Sequence, residues 1–202
     1  MNVKRRVAVL LAQSALSLIL GTVVFAQPSL TPTAAEIDQG VSAALNNLYA
    51  HNDAARTVGA KAKAVLVFPD IRKGAFIVGA QWGYGPLRKD TRTIGYYKTA
   101  AASYGFQAGV KKFGYALFFM TDSALAYLDA SGGWAIGTGP SLVVVDQGAA
   151  RSLTTTNLRS DIYAFVFSQK GLMGGVGLEG SKITRITSSE SDLKRLVGRH
   201  LV

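Results

Sequence analysis

Gly175, Gly177 and Gly180 spell G-x-G-x-x-G, the spacing that lets a backbone approach a pyrophosphate at the start of a helix. Gly175 and Gly180 also bracket four residues as in a phosphate-binding P-loop. There, however, Ser181 and Lys182 come in reversed order, which puts the lysine one position late. Dinucleotide chemistry needs the glycines to open a helix, because the helix end receives the phosphates. The residues after Gly180 are instead rich in β-branched types, Ile183, Thr184, Ile186 and Thr187, which favour an extended strand. A nucleotide is therefore not expected. The glycines are read as keeping a strand face bare for close backbone packing or a bulge.

Other reactive constellations are equally incomplete. The chain has 2 histidines, His51 and His200, and no cysteine, and no serine stands in a G-x-S-x-G elbow. Ser191 and Lys194 match S-x-x-K, but in a charged C-terminal stretch without its companion motifs. The two histidines lack the spacing that joins metal ligands and are expected on the surface. The carboxylates Asp70, Asp90, Asp122, Asp129, Asp146, Asp161 and Glu179 are scattered, and Asp122 reads as a helix cap before it reads as an acid catalyst. No enzyme reaction, no metal and no cofactor is expected. An enzyme would require a deep pocket with converging carboxylates.

Cations are more suggestive. The chain of 202 residues carries a formal charge of +10. Lys61 with Lys63, Arg72 with Lys73, Arg88 with Lys89 and Arg92, and Lys111 with Lys112 each fall near an expected strand end or turn. Phe76, Trp82, Tyr84 and Phe113 lie close to them in sequence, and aromatic rings beside Lys or Arg suit a membrane interface. The competing reading is a core aromatic next to a solvated charge.

The start of the chain directs those cations to a compartment. Lys4, Arg5 and Arg6 precede an uncharged apolar stretch from Val7 to Phe25, and Val24 to Ala26 offers a small-residue cleavage site. Residues 1–26 are expected to be a cleaved signal peptide, giving a periplasmic or secreted protein, with an uncleaved membrane anchor as the alternative. Removing the leader takes three of the positive charges and leaves +7 on residues 27–202. A basic exported domain is expected to meet anionic lipid head groups or other acidic surface polymers rather than nucleic acid, the alternative being a solubilising charge excess with no partner. Without cysteine it has neither disulfides nor a lipidated cysteine.

The elements that must position these residues emerge from periodicity. Residues 27–32 form a Pro-containing linker, and Thr33 with Glu36 makes a capping box opening a helix to about Ala50, with Ile37, Val41, Leu45 and Leu48 on one stripe. Asn52 caps a second helix to about Ala62. Strands are expected at Ala64–Phe68, Ala75–Ala80, Thr93–Thr99, Ala101–Val110, Phe113–Met120, Leu142–Val145, Ile162–Phe167, Val176–Glu179 and Ile183–Thr187, with Trp82–Pro86 as a loop. Thr121 and Asp122 cap a short helix to about Ala130, ended by Gly132 and Gly133. Connections this short between strands require antiparallel neighbours. The fold class is α+β and β-rich: antiparallel strands curled into a barrel- or sandwich-like sheet, with N-terminal helices and one short mid-chain helix. Residues 33–190 are taken as one domain and 191–202 as a basic tail.

Several blocks in order carry a family resemblance: KAKAVLVFP from Lys61, GYYKTA from Gly95, FMTD from Phe119, FSQKGLM from Phe167 and LEGSKI from Leu178. Together they resemble the SYLF domain family over about Lys61 to Ile186. The resemblance implies binding of acidic lipids and phosphoinositides, phosphatidylinositol binding in particular, without an enzyme reaction, and makes the opening glycine stretch a family signature. Fungal and animal members are linked to actin regulation, which is not carried over to a bacterial envelope. Eukaryotic relatives use a basic amphipathic segment before the domain; Thr33 to Ala50 is not basic. The lipid-binding residues are expected to be Lys61, Lys63, Arg72, Lys73, Lys111, Lys112 and Lys170, with an anionic lipid or membrane surface as partner. A structural or protein-interaction module using Trp82–Pro86 or a sheet edge is the alternative.

Overall fold

Ile37, Val41, Leu45 and Leu48 recur at helical spacing, and Ala34–His51 is one helix, α1, with all four buried. The computed structural model describes residues 34–74, 78–104, 113–129, 132–168, 171–172, 178 and 180–186, all within the compact unit Thr31–Val202. The expected signal peptide, linker and basic tail lie outside the described residues. A second helix, α2 (Asp53–Gly59), is capped by Asn52, whose side chain accepts from the Ala55 N–H at 2.8 Å.

Four long strands come next, β1 (Ala64–Gly74), β2 (Val78–Lys89), β3 (Arg92–Tyr104) and β4 (Phe113–Phe119). Then come α3 (Asp122–Ala126), running into a 3-10 turn at Tyr127–Asp129, β5 (Trp134–Ala135), β6 (Leu142–Val145), α4 (Gln147–Ser152), β7 (Ile162–Ser168), β8 (Gly171–Leu172) and β9 (Lys182–Ile186). All join one sheet in the order β5-β9-β3-β2-β1-β4-β7-β6, with β8 paired to β7. The sheet is a curled half-barrel, so the expected α+β class holds and no second sheet makes a sandwich among the described residues. Every pairing is antiparallel except β6 with β7. The segment between those two strands contains α4 and is long enough to carry the chain back for a parallel partner.

Curling divides the core in two. On the concave side Leu66, Phe68, Tyr115, Leu117, Phe119 and Val166 pack with Trp134, Ile136 and Ile183 from the flank. On the convex side Val67, Phe118, Phe165 and Phe167 are covered by Val41, Leu45 and Leu48 of α1 and Val58 of α2. Strands β4 and β7 are therefore buried on both faces, which is why Phe113–Phe119 is apolar at nearly every position although its neighbours are antiparallel. Phe118 meets Phe165 edge-on at 5.3 Å between ring centres.

Three sequence expectations give way. β1 does not stop at Pro69 but runs on to Gly74. Its registers with β2 and with β4 both slip by one residue around Pro69 and Asp70, so a bulge absorbs the proline's missing N–H. That bulge pushes backbone toward both neighbours. A Cβ on Gly85 would stand 2.0 Å from the Val67 carbonyl oxygen, and one on Gly114 would stand 2.6 Å from that of Phe68. Glycine is needed at both. Second, Trp82–Pro86 is not a loop but the middle of β2, with Gly83, Gly85 and Pro86 buried. Third, Thr93–Thr99 and the described part of the expected Ala101–Val110 strand, as far as Tyr104, form one continuous strand, β3, with a register slip at Ile94; residues 105–110 lie outside the described residues. The β2–β3 turn is closed by Asp90 at φ 55, a conformation that aspartate tolerates. The two-residue β5 and the helix α4, capped by Asp146 accepting from the Ala149 N–H at 2.8 Å, carried too little periodicity to be read.

The opening glycine motif meets its test at Gly180. Gly175 and Gly177 lie outside the described residues, and Gly180 has φ 77 with strand β9 beginning two residues later. A strand, as expected, stands where a phosphate-binding helix would be required. Of the strand expected at Val176–Glu179, only Leu178 is described; it lies outside any strand with its side chain buried.

Candidate functional site

Alternation along β3 separates a wet line from a dry one. Tyr97 is 1% and Thr99 4% exposed, whereas Lys98 and Ala100 between and beyond them are exposed. Register carries the same separation across four strands. Ile71, Gly83, Thr99, Ile183 and Trp134 are successive partners on the concave side. The next line is Arg72, Trp82, Ala100, Lys182 and Ala135, and the one beside it is Tyr84, Lys98 and Thr184. These two lines lie on the convex face. Tyr84 and Tyr96 on that face still pack against the helix-covered core, but Trp82, two residues farther along β2, is 41% exposed.

The flank that results holds Lys98, Lys182 and an exposed indole, with Arg72 at the adjoining register position. None of the positions in the two lines is a carboxylate. Asp70, in the bulge two residues before Arg72, has its Oδ1 buried. Among the described residues neither Lys98 nor Lys182 forms an ion pair, which contrasts with Arg185 three positions on. Arg185 bonds Asp129 at 2.5 Å and lies 5.9 Å from the centre of the Tyr97 ring. The Asp129 hydrogen bond, first, holds its pKa up. Burial, opposed by Arg185 and aided by Asp129, pushes the Tyr97 hydroxyl to about 12.

One polar cluster fixes the helical border of this flank. Asp38 of α1 accepts from Thr93 Oγ1 at 2.8 Å and from the Tyr96 hydroxyl at 2.7 Å, and its backbone carbonyl accepts from Arg88 Nη2 at 2.9 Å. Arg88 Nη2 also lies 3.6 Å from the Asp38 carboxylate, with the arginine side chain 16% exposed. Burial, then the hydrogen bond to Asp38, raises Tyr96 to about 12. Arg88 Nε is buried and has no hydrogen-bond partner among the described residues. Thus Arg88, one of the sequence's strand-end cations, is spent on holding α1 to the β2–β3 hairpin, while Lys89 and Arg92 remain exposed.

The other sequence-predicted cations are dispersed. Lys61 and Lys63 are exposed where α2 gives way to β1, and Lys63 pairs with Asp122 at 3.6 Å. Arg72 and Lys73 occupy the opposite end of β1, roughly 30 Å along the strand from Lys63. As successive strand positions those two do not share a face. Lys111, Lys112 and Lys170 lie outside the described residues. Sequence reasoning missed Lys98 and Lys182 because they stand alone in the chain. The signal was there in the alternation of Tyr97, Lys98 and Thr99, but only strand pairing brings Lys98 beside β9.

The residues weighed for catalysis take structural roles. His51 is exposed at the end of α1, its Nδ1 2.9 Å from the Asn47 carbonyl oxygen. His200 lies outside the described residues. Thr121 rather than Asp122 caps α3, accepting from the Ala124 N–H at 3.2 Å, so Asp122 is free to face Lys63. The Ser141 hydroxyl and N–H donate to Asp161 at 2.8 and 3.0 Å and hold its carboxyl below the usual range, tying β6 to β7. Among the described residues no group of three His, Cys, Asp or Glu could hold a metal, and no helix is long and apolar enough to cross a membrane.

Comparison with known families adds a partial match. Residues 100–193, just under half of the chain, match the family model described as "Ysc84: Las17-binding protein actin regulator". The match is to a SYLF-type family of binding domains. It begins at the end of β3 and takes in β4 to β9, leaving α1, α2, β1 and β2 outside although both strands lie in the same sheet. No curated protein matches the chain.

Proposed function

Because residues 100–193 carry a SYLF-type domain match, we propose that this chain is an exported, non-enzymatic domain that binds anionic phospholipid or phosphoinositide-like head groups. The observation that carries this reading is the convex flank, where Lys98 and Lys182 stand exposed around Trp82 with no carboxylate in their lines. Each basic residue near an anionic leaflet contributes about 1 kcal/mol, and the attraction decays within a Debye length of about 10 Å at 0.1 M salt. Lys98 and Lys182, joined by the expected Lys61, Lys63, Arg72, Lys73, Lys111, Lys112 and Lys170 wherever they face the same leaflet, give reversible, salt-sensitive attachment. Export rests on the leader, whose basic start and apolar stretch form a signal-peptide pattern.

Co-sedimentation with vesicles containing an acidic phospholipid, at low and high salt, tests the reading. Recovery on acidic vesicles that falls with salt supports it; equal recovery on neutral phosphatidylcholine vesicles overturns it. The mass of the secreted chain tests the leader: cleavage after Ala26 removes residues 1–26.

A second reading, a protein-interaction module of the envelope, is favoured by one feature. β6 is the end strand of the sheet, its sequence is Leu-Val-Val-Val, and Val143 and Val144 are each 37% exposed. An apolar edge without charge or proline can accept a further strand. Capture of one envelope protein together with absence of vesicle binding would favour it.

A further inference from the structure

Two tryptophans exist in the chain and the fold treats them oppositely. Trp134 is 2% exposed, packed against Phe119 with its indole N–H donating to the Thr138 carbonyl at 2.8 Å. Trp82 is 41% exposed in the middle of a regular strand, where neither loop mobility nor a turn explains it. Its direct partners across the sheet are Arg72 on one side and the exposed Ala100 on the other, and Lys182 lies beyond Ala100. Lys98, two residues before Ala100, completes the surround. An indole at the centre of a cationic strand face has an apolar body to bury and a polar N–H to keep wet, the combination that settles at head-group depth.

The layout also argues against a pocket for one phosphate. Four paired strands set Arg72 and Lys182 about 14 Å apart, since neighbouring strands are about 4.8 Å apart. Between them stand an indole and a methyl group, not donors converging on one point. Such a line meets many head groups of a leaflet at once.

We propose that Trp82 is an interfacial anchor: the convex flank lies on an anionic bilayer, Lys98 and Lys182 contact lipid phosphates, and the Trp82 ring enters the head-group layer. This rests on the proposed lipid-binding function and adds that the ligand is the membrane surface rather than a single head group. It also assigns a role to a strand residue lying outside the family-matched segment 100–193.

Tryptophan emission tests it on the full chain. Vesicles of phosphatidylcholine and phosphatidylglycerol, with bromine atoms on the acyl chains near the head groups, are expected to quench and blue-shift the wild-type protein. Trp82→Phe is expected to remove the quenching, because buried Trp134 contributes none, and Trp82→Ala to weaken vesicle partitioning about tenfold. Millimolar sn-glycerol 3-phosphate, the soluble head group, is expected neither to shift the emission nor to displace the protein. Sedimentation with acidic vesicles accompanied by unquenched Trp82 overturns the anchor and leaves lipid binding standing. Binding of glycerol phosphate that displaces vesicles overturns the surface mode in favour of a single-head-group site. Failure to sediment with acidic vesicles overturns both.

Discussion

Strands β4 and β7 at one end of the sheet and β2, β3 and β9 at the other use the same antiparallel pairing to opposite ends. Ile162 to Phe167 are all buried, because α1 and α2 cover one face and the curled sheet covers the other. Along β3 the burial alternates, Tyr97 and Thr99 in, Lys98 and Ala100 out. The first region can carry nothing but packing. The second spends one face on packing and leaves part of the other uncovered beyond Tyr84 and Tyr96, and cations and an exposed indole collect there. A strand's capacity for function is thus set by how many of its faces the fold consumes.

The doubly buried region is the more sensitive of the two to substitution. Phe118→Ala is expected to cost about 3–5 kcal/mol in chemical denaturation, since the ring is fully buried against Phe165 and beneath α1. A value near zero would mean the helices do not cover this face. Gly85→Ala, in β2 against the β1 bulge, is expected to cost about 1–3 kcal/mol or to prevent folding, because its Cβ would collide with the Val67 backbone. Replacing Asp38 by Asn should be milder, about 1–2 kcal/mol, with faster hydrogen exchange in α1, as the donors gathered on Asp38 lose its carboxylate charge.

Smaller still is a pH effect carried by β3. Tyr96 and Tyr97 ionise near 12 in the folded chain against 10.0 when free. Between those values the folded state keeps protons that the unfolded state has lost, so stability falls as pH rises from about 10 to about 12. Tyr97→Phe is expected to shallow that alkaline decline, read from denaturation midpoints across the window. The least effect on stability belongs to Lys98→Glu and Lys182→Glu, within about 0.5 kcal/mol, with loss of acidic-vesicle binding. If these substitutions unfold the protein, the flank is part of the fold's support and the contrast fails.

Much of the helical and strand content was legible from spacing. The α1 stripe, the Asn52 and Thr121 caps and the runs of β4 and β7 announce themselves, because each depends on residues within a few positions of one another. Pro69 misled, since a proline in a central strand is tolerated only through a bulge, and that bulge depends on glycines in two other strands. Trp82 to Pro86 misled likewise: two glycines and a proline read as a turn, yet Gly83 and Gly85 are there to admit β1. Of the cations, Arg72 was flagged for its neighbour Lys73, whereas its companions on the flank come from Lys98 and Lys182.

The amino-acid order alone determined the β-rich class, the basic balance and the lack of thiol chemistry, because composition and short-range periodicity suffice for these. Only the tertiary structure decided which cations meet a carboxylate among the described residues. Arg88 and Arg185 are as basic as Lys98 and Lys182 on paper, but Asp38 and Asp129 reach the first two from distant elements, 50 and 56 residues away. Pairing between strands, not proximity in the chain, sets which charges meet an opposite partner and which face water. That is a property of register, and register exists only once the sheet has formed.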